Sequence, residues 1–264
     1  MINANDFSLA ELVIVAAAEA WRGDGEVLAT GIGPLPRIAA GLAKLTFAPG
    51  LVLTDGEAYT VEEPIPLGSR DHQIKPSGWM PYSRVFDSVW SGKRHAMVTP
   101  VQVDRFGQAN ISALGDFKRP KVQMLGVRGF PGNSVCHKNS MFLPNHGKRT
   151  FTEAEVDVVA SVGHNPARWP LSAKRKPVDL GIVVTNLCVL DFNGPNHAAQ
   201  VLSLHPGVSF EEVQAETGFP LLRAKRMRVS VAPTEEQLAI IRRLDPSEIR
   251  ANVIKGNPPG RKAA

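Results

Sequence analysis

Two carboxylates stand one glycine apart in Thr54-Asp55-Gly56-Glu57, just past the apolar run that starts at Leu51. A carboxylate held beyond the end of a strand can act as a nucleophile or a general base. The same four residues also read as a turn in which Asp55 bonds its own backbone. Thr30-Gly31-Ile32-Gly33-Pro34 offers different chemistry. Gly31 and Gly33 can expose backbone N–H groups where a helix begins, and such groups hold phosphate or carboxylate well. The run lacks the third glycine of a dinucleotide fingerprint and has Pro34 where that pattern would continue, so it gives little support to nicotinamide binding. A purely structural strand-to-helix turn is the competing reading.

A third segment, Gly126-Val127-Arg128-Gly129-Phe130-Pro131-Gly132-Asn133-Ser134, follows the apolar stretch Val122 to Val127, which reads as a strand. Its glycines let backbone amides approach a ligand and stabilise a developing oxyanion. Arg128 adds a permanent positive fork suited to carboxylate or phosphate. The alternative is a loop with a solvated arginine. Asn145-His146-Gly147-Lys148-Arg149 can supply polar contacts or a base, against the reading of His146 as structural or exposed. Cys136 and His137 are neighbours, and neighbours rarely face each other as nucleophile and base must. The histidines show no metal-ligand spacing.

These segments need elements to hold them. Ser8-Leu9-Ala10-Glu11 is a capping box, and Leu9, Leu12, Val13, Ala16 and Ala20 share one helical face. Strands are expected at Val27 to Thr30, Leu51 to Thr54, His95 to Pro100, Val122 to Val127, Val156 to Val162 and Gly181 to Leu190. Helices are expected over Arg37 to Phe47 and Tyr82 to Trp90, then after Ser209, stopping at Gly218, and from Thr234 to Pro246. Glu62 to Gly78, with Pro64, Pro66 and Pro76, reads as a long ordered loop of the kind that carries function. Alternating strand and helix imply an α/β fold with an open, mostly parallel sheet flanked by helices. We expect a single domain over 1–250, followed by a basic, mobile tail over 251–264.

Composition excludes several classes. With 264 residues, 43% hydrophobic and 21% charged, the chain can bury a substantial core and is not disordered as a whole. Two cysteines without zinc-type spacing point to a reduced, cytoplasmic setting. No basic segment leads into an apolar stretch near Met1, and Leu12 to Ala18 is too short to span a bilayer, so neither a signal peptide nor a membrane is expected. The net charge of +5 favours anionic partners. Lys174-Arg175-Lys176 and Arg223 to Arg228 hold the clustered charge without interleaved aromatics, so they read as solvated surface and not as a nucleic-acid groove.

The combined blocks resemble the β subunits of class I CoA transferases. Ala29 to Pro36, Leu51 to Glu57, Val103-Asp104-Arg105-Phe106-Gly107-Gln108-Ala109-Asn110, Val184 to Leu190, Leu204-His205-Pro206-Gly207-Val208 and Glu216-Thr217-Gly218-Phe219 carry the resemblance over most of the chain. Transferases of that family attack the thioester with a glutamate in a Ser-Glu-Asn-Gly-like motif. Aligning the glycine leaves Thr54 where that glutamate belongs. Leu53 to Ala58, Gly78-Trp79-Met80-Pro81, Val127 to Asn133 and Asn145 to Arg149 are similar to the β subunits of steroid-ring-cleaving CoA hydrolases. This resemblance implies an α subunit as partner, an (αβ)2 heterotetramer, and a steroid-derived acyl-CoA substrate. Coenzyme A then enters with the substrate, and no cofactor or metal is bound permanently. The working glutamate is expected on the α subunit. In this chain Arg128, Asn133, Asp55 and Glu57 are the candidates for chemistry. Gly31, Gly33, Trp79, Gly126, Gly129, Gly132, Ser134, Asn145 and His146 are the candidates for substrate binding. The alternative is a CoA transferase working through a thioester on Asp55 or Glu57.

Overall fold

Residues 7–69, 71–169 and 178–259 are described in the computed structural model, so Lys174-Arg175-Lys176 and residues 260–264 of the tail lie outside the described residues. Where the sequence reads as one domain, the chain packs as two compact units: Met1–Val98 together with Val231–Ala264, and Thr99–Ser230.

The first unit opens on helix α1 (Leu9–Ala18). Its capping box is complete, with the Glu11 N–H donating to Ser8 Oγ at 3.3 Å and the Ser8 N–H to Glu11 Oε2 at 2.9 Å. Strand β1 (Leu28–Gly31) leads through Gly33 into α2 (Pro34–Leu45), whose Leu35, Ile38 and Leu42 are buried. Proline at the helix start costs nothing, because the N–H it lacks would have no partner there. Strands β2 (Leu53–Thr54), β3 (Tyr59–Val61) and β4 (Pro76–Trp79) form a small antiparallel sheet. The stretch expected as a loop to Gly78 therefore ends in a strand. Pro76 is tolerated because it begins an edge strand, where an N–H is dispensable. A short helix α3 (Val85–Trp90) precedes β5 (Arg94–Val98), which pairs in parallel with β1 and sets Leu28 against Arg94 and Thr30 against Ala96.

The closing helix Glu235–Leu244 starts at a second complete capping box, Thr234 with Gln237. Beyond it Arg250 is buried, bonded to Asp245 Oδ2 at 3.1 Å and Glu11 Oε1 at 3.4 Å. The tail expected to be mobile is anchored in its described part. Ile254 is buried, and the Pro258 carbonyl accepts from the Leu9 N–H at 2.8 Å.

The second unit holds two short ladders, β6 (Gln102–Val103) with β7 (Ala109–Asn110) and β8 (Ala113–Leu114) with β9 (Val122–Gln123). Helix α4 (Phe130–Cys136) then enters β10 (Lys138–Leu143), followed by β11 (Leu180–Thr185), β12 (Cys188–Asp191), β13 (Gln200–Leu204), α5 (Phe210–Ala215) and β14 (Leu222–Val229). Among the described residues, β1·β5, β10·β11 and β13·β14 pair in parallel, and β12 runs antiparallel to both its neighbours. A mostly parallel sheet with flanking helices is the α/β architecture expected.

Three expectations change. Gly181 to Leu190 is a hairpin, not one strand, because Thr185 Oγ1 accepts from the Leu187 and Cys188 N–H groups, both at 3.0 Å, and turns the chain. Val156 to Val162 forms no strand. Only Ser161 makes a bridge there, and the Asp157 N–H goes to the Gln102 side chain at 3.0 Å. Strand β9 stops at Gln123, so Val122 to Val127 does not run on as a strand.

Candidate functional site

In the first unit, Ala29, Thr30 and Gly31 on β1, Leu53 and Thr54 on β2, and Arg37 on α2 line a cavity of about 150 Å³. Only glycine fits at 31, since a Cβ there would overlap the Pro36 carbonyl. Gly33 caps α2 at φ 107°, a backbone that side chains rarely tolerate. Pro64, Ile65, Leu67 and Leu244 make the rest of the wall largely apolar. A second, polar cavity of about 300 Å³ shares Arg37, Ile65 and Leu67 with the first and is lined also by Asp55, Glu57 and His72.

The structure thus brings Asp55 and Glu57 together with Arg37. It also commits Asp55 to the turn. Its Oδ1 accepts from the N–H groups of Glu57 at 2.8 Å, Ala58 at 3.0 Å and Tyr59 at 3.0 Å. Burial pushes the Asp55 carboxyl up, but those amides outweigh it and hold the group below the ordinary aspartate value. An acceptor so engaged is a poor nucleophile. Glu57 is exposed and free of such ties. Trp79, at the end of β4 opposite Tyr59, is 72% exposed and lines neither cavity.

In the second unit, Gly126 to Arg128 form a single 3-10 turn and α4 begins at Phe130, so Pro131, Gly132, Asn133 and Ser134 are helical where a loop was expected. Pro131 suits the first helical turn, and the Asn133 N–H reaches back to the Gly129 carbonyl at 3.0 Å. The segment enters the sheet at the amino end of β10 and does not leave it at a carboxyl end. Arg128 and Gly129 are exposed, and a Cβ at Gly129 would meet nothing within 4 Å. Gly126 is packed hard, because a Cβ there would sit 2.6 Å from Ile111. Phe130 is buried and pins the turn. The Asn133 carbonyl accepts from Asn139 Nδ2 at 2.9 Å, and the Ser134 hydroxyl donates to the Pro131 carbonyl at 2.9 Å.

His146 is buried and bonded through both ring nitrogens. Its Nδ1 lies 3.1 Å from Thr185 Oγ1 and its Nε2 2.9 Å from Thr217 Oγ1, and the ring stacks on Phe151 at 4.1 Å. Burial lowers its pKa to about 3, so it is a neutral brace. Cys188 Sγ lies 4.0 Å from His146 Nδ1, yet burial pushes that thiol up to about 12, so the pair is inert. Asn145 is exposed, and its carbonyl accepts from the Thr150 hydroxyl at 3.0 Å.

Sequence reasoning missed two groups. In the Val103–Asn110 block, Asp104 Oδ1 accepts from the Phe106 N–H at 2.9 Å and the Gln108 N–H at 3.1 Å. Gln108 Nε2 donates to Asp104 Oδ2 at 2.6 Å and Glu155 Oε1 at 2.9 Å, while its Oε1 accepts from Asn165 at 2.8 Å. Burial raises the Asp104 carboxyl pKa. This saturated network fixes the loop and leaves nothing for a ligand. The other group is Thr30 with Arg94, whose Nε donates to Thr30 Oγ1 at 3.0 Å. No spacing links positions 30 and 94; only the β1·β5 register does.

No protein-family model matches the chain. Over 247 residues it is 40% identical to the cholesterol ring-cleaving hydrolase IpdB subunit of Mycobacterium tuberculosis (strain ATCC 25618 / H37Rv), covering 93% of this chain and 98% of that one. It is 32% identical over 249 residues to a 3-oxoadipate CoA-transferase subunit from Pseudomonas knackmussii, covering 90% and 94%. The crystal structure of Rhodococcus jostii RHA1 IpdAB superposes with a TM-score of 0.86 at 38% identity, over 94% of this chain and 98% of that one.

Proposed function

The chain belongs to the class I CoA-transferase family, on the branch of the cholesterol ring-cleaving hydrolase subunits, and from that membership we propose that it is the β-type subunit of an enzyme that hydrolytically opens a carbocyclic ring in a steroid-derived CoA thioester. The observation that carries this reading is Thr54. It lines the first cavity at the place where the resemblance puts the transferase glutamate, and the adjacent Asp55 is tied into its turn. The chain therefore brings donors to the cavity, and the attacking base comes from elsewhere.

In the proposed reaction a carboxylate of an α subunit takes a proton from water. The water oxygen bonds to the ring carbonyl carbon, and the carbonyl electron pair moves onto its oxygen. Collapse of that oxyanion breaks the bond to the neighbouring ring carbon. The released pair is held as the thioester enolate until that carbon is protonated. One C–C bond is lost, one carboxylate appears, and the thioester survives. Arg128, the side chain of Asn133 and the amides around Gly126, Gly129 and Gly132 supply positive potential to the oxyanion or enolate. Gly31 and Gly33 let the ligand approach backbone closely, and Ser134, Asn145 and Trp79 are further candidates for substrate contact. Coenzyme A is part of the substrate, and the assembly is an (αβ)2 heterotetramer in the cytoplasm.

The test is to co-express the chain with its α subunit and supply a ring-bearing CoA ester with no acceptor acid. Ring opening without an acceptor is expected. Turnover only with an acceptor acid, together with a thioester trapped by hydroxylamine on Asp55 or Glu57, overturns the reading in favour of a CoA transferase.

A further inference from the structure

The polar side chains that line the first cavity are Thr30, Thr54 and Arg37, and among the described residues no carboxylate joins them. Their hydrogen bonds fix what they offer. A guanidinium can only donate, so the 3.0 Å contact from Arg94 Nε makes Thr30 Oγ1 an acceptor there. The Thr30 hydroxyl keeps one hydrogen, and among the described residues it has no protein acceptor for it. Thr54 repeats the arrangement, since its Oγ1 accepts from the Gly56 N–H at 3.3 Å. Both hydroxyls thus keep a hydrogen to donate, within a wall that is apolar apart from Arg37. Arg94 lies at the start of β5, half-buried, with no carboxylate partner among the described residues. An uncompensated guanidinium is costly to bury, which suits a role played when a ligand oxygen carries charge.

Resting on the reading of this chain as a hydrolase subunit, we propose that Thr30 and Thr54 form a hydroxyl-donor subsite for a carbonyl oxygen of the acyl group, with Arg94 as the positioning residue that orients and polarises Thr30. The ligand group it takes is an acceptor without a proton of its own: a ketone or thioester carbonyl that becomes an oxyanion or enolate. Hydroxyl donors at that point strengthen as charge develops and leave ground-state binding nearly unaltered, so they act on kcat more than on KM.

The experiment uses the complex reconstituted with its α subunit and a ring-bearing CoA ester. Thr30→Val is expected to lower kcat about 100-fold with KM changed by less than about twofold. Thr30→Ser, which keeps the hydroxyl, should recover most of the loss. Arg94→Met should lower kcat about tenfold alone and cause no further loss in the Thr30→Val background, as a residue acting only through Thr30 must. Should Arg94→Met not fold, Arg94→Lys serves in the same cycle, since it keeps the charge and loses the planar Nε donor. Unchanged kcat in Thr30→Val, failure of serine to rescue, or multiplicative losses in the double variant would overturn the subsite while leaving the hydrolase reading intact. A wild-type complex that opens no ring overturns the hydrolase reading, and the subsite with it.

Discussion

Two sets of polar groups, one from each unit, are treated in opposite ways. In the second unit, Asp104 and Gln108 are buried and bonded to each other, Asn110 to the Gln102 side chain, and His146 to the Thr185 and Thr217 hydroxyls. In the first, Thr30 and Thr54 face a cavity with their remaining hydrogens unspent. Saturation marks architecture, because a buried group with all its bonds made has nothing to give a ligand. A donor held by its neighbour so that its last hydrogen points to open volume marks function. Arg128 lies in the second unit but is exposed and outside the Asp104 network.

The contrast can be broken at several points. The largest effect is expected from Asp104→Ala, which leaves the Phe106 and Gln108 N–H groups without their acceptor. Roughly 3–4 kcal/mol of folding stability should be lost in urea unfolding, with turnover per folded complex retained. Close behind is Arg128→Ala. Removing one donor from a charge-stabilising site costs about 10²–10³ in kcat, and here the melting temperature should stay within about 1 °C of wild type because the side chain is exposed. Lost stability with intact turnover at Arg128, or the reverse at Asp104, would invert the assignment of the two regions.

The buried histidines sharpen it with pH. The His146 and His205 pKa values are depressed by burial to about 3 and about 4. Below the unfolded value near 6.5, the unfolded chain gains protons that the folded rings refuse, so stability falls with pH until the folded pKa is reached. By pH 5 each ring should have cost about 2 kcal/mol, measurable as a falling urea midpoint, and His146→Gln should flatten part of that slope. The smallest effect belongs to Asp55→Asn. The amide keeps an oxygen for the three turn N–H groups, so less than about 1 kcal/mol and little turnover should be lost. A large loss of turnover would return Asp55 to the chemistry.

How much of this was legible in the sequence depended on range. The helix starts at Ser8 and Thr234 are local, written in residues three apart, and both capping boxes are present. The turn at Gly31 and Gly33 and the α/β alternation were legible for the same reason. Strand β10 was not, because Lys138, Asn139 and Ser140 open it with polar types, and only the fold makes Asn139 and Ser140 buried. Helix α4 hid inside a glycine-rich run that imitates a loop. His146 could be read either way until Thr185 and Thr217 closed around it from far along the chain. Arg94 stayed invisible, since its meaning lies in a strand register and not in a motif. The family blocks placed the site region; the distances sorted its residues into braces and donors.

Running the reconstituted complex in ¹⁸O-labelled water tests the central claim most directly. The account predicts one labelled oxygen in a newly formed carboxylate of the ring-opened product, with the CoA thioester intact and no acceptor acid present. Label found instead in a carboxyl side chain of this subunit, or CoA carried to an added acid with the ring still closed, would contradict it.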